Sequence, residues 1–261
     1  GLLLVQSCDD ELVQKSNDSL SPSDYYTNSS EFEFATRGIY SAFLGGSYYG
    51  GSLLSLPDIM TDNVILAQRG RRSNQSFHEW RHSPNLSWGM LYSPYIVTNR
   101  ANLVLNNIGN LEDGAEKNNF IGEARAARAL ALFDMVRVYS KIPTQNGADT
   151  SLGLPIITGI DPNVRNLRPN VADSYEFIKN ELVDAKALIN EDNGVARLNK
   201  EVVSALLSRV YLYMGEYQNA VDAANDVTTP ISTFSEVGQV WKDASEAGVI
   251  FKIDQDRNLD G

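Results

Sequence analysis

The chain has 261 residues, 43% of them hydrophobic and 21% charged, a balance that suits a folded globular protein and excludes a disordered or fibrous one. Lys plus Arg total 22 against 33 Asp plus Glu, giving a net charge of −11. That acidity opposes binding to phosphate backbones, so a nucleic-acid partner is excluded at the outset.

The amino terminus reads Gly1-Leu2-Leu3-Leu4-Val5-Gln6-Ser7-Cys8-Asp9-Asp10-Glu11. An apolar run, a small residue, a cysteine and then acids are similar to the tail of a bacterial lipoprotein signal peptide, in which the cysteine takes the lipid. The expectation is a signal-peptide remnant over residues 1–7, lipid attachment at Cys8 and a flexible tether over residues 8–30. Asp, Ser, Asn and Pro22 fill that tether. Cys8 is the one cysteine, so no internal disulfide forms, and no run nears the roughly 20 apolar residues that span a bilayer. Membrane attachment is therefore expected through the lipid alone.

Past the tether, apolar spacings of three and four dominate. Phe32, Ala35, Ile39 and Phe43 mark a first helix, stopped by Gly45-Gly46. Residues 47–85 read as loops with short helical or strand pieces. Ser83-Pro84 then reads as a cap and first-turn proline leading through Trp88, Leu91, Tyr95, Asn99 and Asn102 to about Ile108. Residues 118–139 form a long Ala-rich helix, on which Glu123 and Arg128 lie about 140° apart and bond neighbouring elements rather than each other. A loop over residues 141–168 follows. Asn170 caps the next helix, with Asp173 placed to bond back and Val171, Tyr175, Ile178, Leu182, Ala185 and Leu188 as its apolar stripe.

Leu207, Ser208, Tyr211, Gly215, Tyr217, Ala220, Ala224 and Val227 match the small-and-large pattern of a tetratricopeptide repeat, with Gly215 at the turn between its helices. Pro230 ends that segment. Residues 249–253, Val-Ile-Phe-Lys-Ile, read as a strand without a partner, and the expectation is that the natural chain continues beyond residue 261.

Chemistry-bearing motifs are sparse. His78-Glu79-Trp80-Arg81-His82 spells the H-E-x-x-H zinc-hydrolase pattern, which requires both imidazoles on one helical face. Bulky Trp80, charged Arg81 and nearby Pro84 oppose such a helix, and no further histidine exists. A nucleophile elbow and a phosphate loop are both absent from the sequence. Neither a metal nor another cofactor is expected. Aromatic residues in loops, namely Tyr48, Tyr49, Phe77, Trp80 and Trp88, remain as stacking surfaces for the C–H faces of sugars. Asp62, Asn63, Arg69 and Arg71 are polar partners close in sequence to Trp80. The candidate ligand-binding set is Trp80, Trp88, Asp62, Asn63 and Arg71.

Several blocks in order carry a family resemblance. They are Trp88-Gly89-Met90-Leu91-Tyr92 through Ile96 to Asn99, then Gly122-Glu123-Ala124-Arg125-Ala126-Ala127-Arg128-Ala129 through Phe133-Asp134 and Arg137 to Tyr139 and Pro143. Gly153-Leu154-Pro155, Arg168 with Val171, Tyr175 and Ile178, and the repeat at 207–227 complete the series. Together they resemble the SusD/RagB family of outer-membrane nutrient-binding lipoproteins. The resemblance implies a mainly α fold, a tetratricopeptide-like helical scaffold with long loops, lacking catalytic activity. It also implies capture of a glycan or oligosaccharide, or in some branches a peptide, at the cell surface beside a TonB-dependent outer-membrane transporter. Family chains run to about twice this length, so residues 31–261 read as a SusD-like domain with its carboxyl-terminal part missing. Two other readings stand beside this one: a zinc-dependent hydrolase built on His78 to His82, and a structural helical-repeat adaptor.

Overall fold

A computed structural model describes residues 25–81, 83 and 88–254. Cys8 and the tether up to residue 24 lie outside the described residues, as do His82 and Pro84. Nine helices are present among the described residues: α1 (Ser29–Phe43), α2 (Ser52–Ile59), α3 (Gln75–His78), α4 (Tyr92–Asn107), α5 (Ala115–Tyr139), α6 (Val171–Leu188), α7 (Lys200–Met214), α8 (Tyr217–Asn225) and α9 (Phe234–Val240). No sheet forms among them; the one β-type contact is an isolated antiparallel bridge between Leu152 and Asn170. The fold is mostly α-helical, in the manner of a helical solenoid.

Its centre is α5. Every residue from 122 to 136 except Arg125 is buried, a pattern possible only for a helix covered on all sides. Ala124, Ala126, Ala127, Ala129 and Ala131 let its neighbours approach closely. Helices α1, α4 and α6 pack against it, α7 packs on α6, and α8 on α7. At Gly122 the approach is close: a Cβ there would stand 2.7 Å from the backbone nitrogen of Ile189, just past α6.

Polar side chains tie these helices at sites where the core leaves no water. Glu123 on α5 accepts from two nitrogens of the Arg197 guanidinium, Nε at 2.9 Å and Nη2 at 2.7 Å, and from the Tyr40 hydroxyl at 2.5 Å. Arg197 also reaches Glu33 on α1 at 2.8 Å. Arg128 donates to Glu181 on α6 and, at 2.7 Å, to Asn102 on α4. The two α5 charges thus join neighbouring elements, as their angular separation predicts.

Local signals decide several boundaries. Asn170 caps α6 by accepting from the Asp173 backbone N–H at 2.7 Å, while Asp173 meets the Asn170 side-chain amide rather than its backbone. Gly215 takes a left-handed φ of 79° between α7 and α8, and the Ser208 hydroxyl crosses the pair to the Ala220 carbonyl at 2.8 Å. Asn28 caps α1, and Tyr26 is buried against Phe32, so the described fold starts a few residues before residue 31.

Three expectations are corrected. The helix read from Ser83 onward begins at Tyr92: Gly89 has a left-handed φ of 75°, so Trp88 lies in the approach and Pro94 occupies the first turn, where its missing N–H has no cost. Residues 249–253 form no strand. Lys252 donates one backbone bond to Val195, and Ile250, Phe251 and Ile253 pack on the core, with Phe251 against Tyr40. Tyr48 and Tyr49 offer no open stacking face either, for both hydroxyls converge on the buried Asp134 of α5, at 2.7 and 2.9 Å.

Candidate functional site

Between α1 and α4 the chain leaves the helical array and builds a small exposed lobe over residues 51–81. Leu53 packs against the main core and Leu56 is buried, which seats α2. Beyond Ile59 the chain loops outward and returns through α3. Two contacts close that loop: the His78 imidazole Nδ1 lies 3.2 Å from the Ile59 carbonyl oxygen, and the Trp80 indole N–H donates to the Met60 carbonyl at 2.9 Å.

This pairing brings Trp80 beside the segment that carries Asp62 and Asn63. Trp80 is 60% exposed, so its ring is held by the N–H bond while most of its surface faces solvent. Asn63 is also positioned, its amide donating to Asp58 at 2.9 Å. A cleft of roughly 350 Å³ opens in the same lobe, lined by the apolar Ile59, Val64, Ile65 and Leu66 and by Arg69, Arg71, Arg72 and His78. Asp62, Asn63, Arg71 and Trp80 therefore belong to one exposed lobe.

Trp88 stands apart from them. It is half-buried and packs on the main core, and its indole nitrogen is enclosed without a hydrogen-bond partner among the described residues. Met90, two residues on, is fixed by its backbone N–H donating to the Tyr139 hydroxyl at 3.1 Å.

Backbone strain concentrates in the lobe. Among the described residues, four non-glycine residues have positive φ, and three of them, Arg72 at 50°, Asn74 at 60° and Trp80 at 53°, fall within nine positions. Such conformations cost roughly 1–3 kcal/mol each and cluster where a protein holds side chains for a task. Sequence reading missed this feature, because Arg and Trp rarely take a left-handed backbone and only Asn74 is of a type that favours it.

The zinc-hydrolase pattern dissolves in the same region. Helix α3 is a single turn ending at His78, Glu79 is its cap, and the left-handed Trp80 turns the chain away. Glu79 is engaged by Gln75 at 2.7 Å and by Arg81. Those bonds hold its carboxyl below the ordinary range, with the Gln75 contact the largest cause. A base poised beside a metal-bound water needs a higher value. Among the described residues no group of three or more His, Cys, Asp or Glu side chains could hold a metal ion.

Known proteins bring the lobe and the helical array under one heading. The SusD-like family model described as "Starch-binding associating with outer membrane" matches residues 16–212, which include the whole lobe and helices α1 to α6. The chain belongs to the SusD-like family. The SusD-like protein P2 of Formosa agariphila is 24% identical over 231 residues, covering 87% of this chain and 44% of that protein. Among solved structures, a SusD superfamily protein from Bacteroides vulgatus superposes with a TM-score of 0.76 at 26% identity, covering 85% of this chain and 53% of the other. Another from Bacteroides thetaiotaomicron gives 0.69 at 29% identity, with coverage of 82% and 50%. The SusD-like chain thus spans about half the length of the relatives it matches. No helix among its described residues is long and apolar enough to cross a membrane.

Proposed function

We propose that this protein is a cell-surface glycan-binding lipoprotein that passes its ligand to a TonB-dependent outer-membrane transporter. The observation that carries the reading is the family match over residues 16–212, under a description that names starch binding and the outer membrane. The protein binds rather than catalyses, and the helical core is a rigid support with the residue 51–81 lobe as its ligand-facing part. Trp80 stacks on a sugar ring, while Asp62, Asn63 and Arg71 bond its hydroxyls. Trp88, packed on the core apart from the lobe, is a second aromatic contact for the ligand.

Cys8 carries the lipid, residues 1–7 are a signal remnant and residues 8–30 tether the helical domain to the membrane. The hairpin of α7 and α8 is a tetratricopeptide-like unit, and the domain is the amino-terminal portion of a longer protein, in keeping with the half-length coverage of its relatives. Tethering gives a high local concentration over the transporter, so weak docking contacts between it and the helices of residues 85–228 are populated.

Gentle-detergent purification of the lipoprotein from its native membrane tests the transporter pairing. Recovery with a large β-barrel partner is expected; recovery alone, under conditions that keep other outer-membrane complexes whole, would contradict it. Cys8→Ala should move the protein from the membrane to the soluble fraction. An unchanged membrane fraction would sink the anchor assignment.

A further inference from the structure

We propose that the cleft beside Trp80 binds the acidic substituent, a carboxylate or sulfate ester, of an anionic glycan; the proposal rests on the glycan-binding reading above and narrows its ligand class.

The charge distribution points there first. The chain as a whole is acidic at −11, yet residues 65–81 hold four arginines, at 69, 71, 72 and 81, against the single acid Glu79. Glu79 is occupied by Arg81 and lies 3.8 Å from Arg72. Arg69 and Arg71 make no ion pair or hydrogen bond with any described residue, although elsewhere in the fold Arg37, Arg125, Arg128, Arg137 and Arg197 are all paired. Both line the cleft together with Arg72 and His78.

Geometry adds to this. Gly70 at φ 94° and Arg72 at φ 50° bend the segment, and Arg69, Arg71 and Arg72 all line the cleft. Like charges gathered in a concavity repel one another and focus a positive field, an arrangement that an incoming anion relieves. Guanidinium forks match carboxylate and sulfate oxygens in geometry, two N–H groups to two oxygens. The rest of the lining includes the apolar Ile59, Val64, Ile65 and Leu66, and the exposed Trp80 belongs to the same lobe, its indole bonded to the Met60 carbonyl next to Ile59. A ligand that fits presents a C–H face on one side and an anionic group on the other. An acidic sugar residue has both; a neutral glucan lacks the anionic group that a guanidinium fork pairs with.

Calorimetric titration of the whole chain with three oligosaccharide classes tests the idea: a polyuronate, a sulfated galactan and a neutral glucan. The acidic ligand should bind roughly tenfold or more tightly than the neutral one, and added salt should weaken it selectively. The uronate and sulfate titrations show which anion fits. Arg69→Gln/Arg71→Gln, at two exposed positions, should lose most of the acidic-glycan affinity and keep its melting temperature. Equal affinity for neutral and acidic ligands, or an acidic-glycan affinity unmoved in the double variant, would overturn the proposal while leaving glycan binding intact. Absence of binding to all three classes would overturn the glycan-binding reading itself, and this proposal with it.

Discussion

Arg197 holds two carboxylates at once, Glu123 inside the core and Glu33 on its margin. Burial lifts the Glu123 carboxyl above its ordinary value, and the bonds from Arg197 and Tyr40 oppose that lift. Removing the arginine leaves a carboxylate with 0% side-chain exposure and little to balance it. Arg197→Met should therefore cost about 3 kcal/mol in urea unfolding, and adding Glu123→Gln should recover part of that loss. A double variant as unstable as the sum of its parts would contradict the coupling. Glu201 behaves in the opposite sense to Glu123. Burial raises it, but the Thr229 and Thr228 donors outweigh burial and hold it below its ordinary 4.5. A depressed carboxylate contributes stability above its unfolded pKa and loses it as pH falls through the folded one. The stability gap between the wild type and Glu201→Gln should hold steady above pH 4.5 and shrink at lower pH; a gap that widens in acid would refute the assignment. Little of this detail was readable in advance. The structural roles of Glu123 and Arg128 followed from their helix geometry, whereas their partners Arg197 and Glu181 lie 74 and 53 positions away, where no local pattern points.

Elements were more legible, because helical spacing is a local signal and six of these helices bury a face. Caps at Asn170 and Gly215 were readable for the same reason, as single residue types there meet a specific backbone need. Failures occurred where tertiary packing replaced local preference. Residues 249–253 have strand composition, but their apolar side chains are satisfied against α1 and the core without a second strand. The aromatic pair Tyr48 and Tyr49 resembles a stacking surface in sequence and becomes a buried clamp on Asp134 once the loop folds back. Gly122 and Gly215 give the sharpest tests at this scale. Gly122→Ala forces a methyl into the backbone of Ile189 and should destabilise the protein by roughly 2–3 kcal/mol. Gly215→Ala meets only a left-handed backbone and the tip of Thr144, and should cost about 1 kcal/mol. Thermal or urea unfolding that reverses this order would show that α5 does not approach the α6 end as closely as described.

For the whole molecule, the division of labour follows from how the chain uses its charges and rings. In the helical array Arg128 and Arg197 hold the buried carboxylates of Glu181 and Glu123, and Phe32, Phe43, Phe133 and Tyr175 fill the core, which fixes a rigid body. The residue 51–81 lobe does the reverse, leaving Arg69, Arg71 and the Trp80 face turned to solvent on a strained backbone. Sequence alone singled out Trp80, Asp62, Asn63 and Arg71, because aromatics and polar groups clustered in a loop without helical periodicity. It put Trp88 in the same set, and the structure places Trp88 against the main core rather than in the lobe. The measurement that bears most directly on the account is the glycan affinity of the purified chain before and after Trp80→Ala. Stacking on an exposed tryptophan is worth on the order of 1 kcal/mol or more, so the account predicts a loss of roughly tenfold in affinity with an unchanged melting temperature. An affinity equal to that of the wild type in a fully folded Trp80→Ala protein would contradict it, and would place the ligand elsewhere on the scaffold.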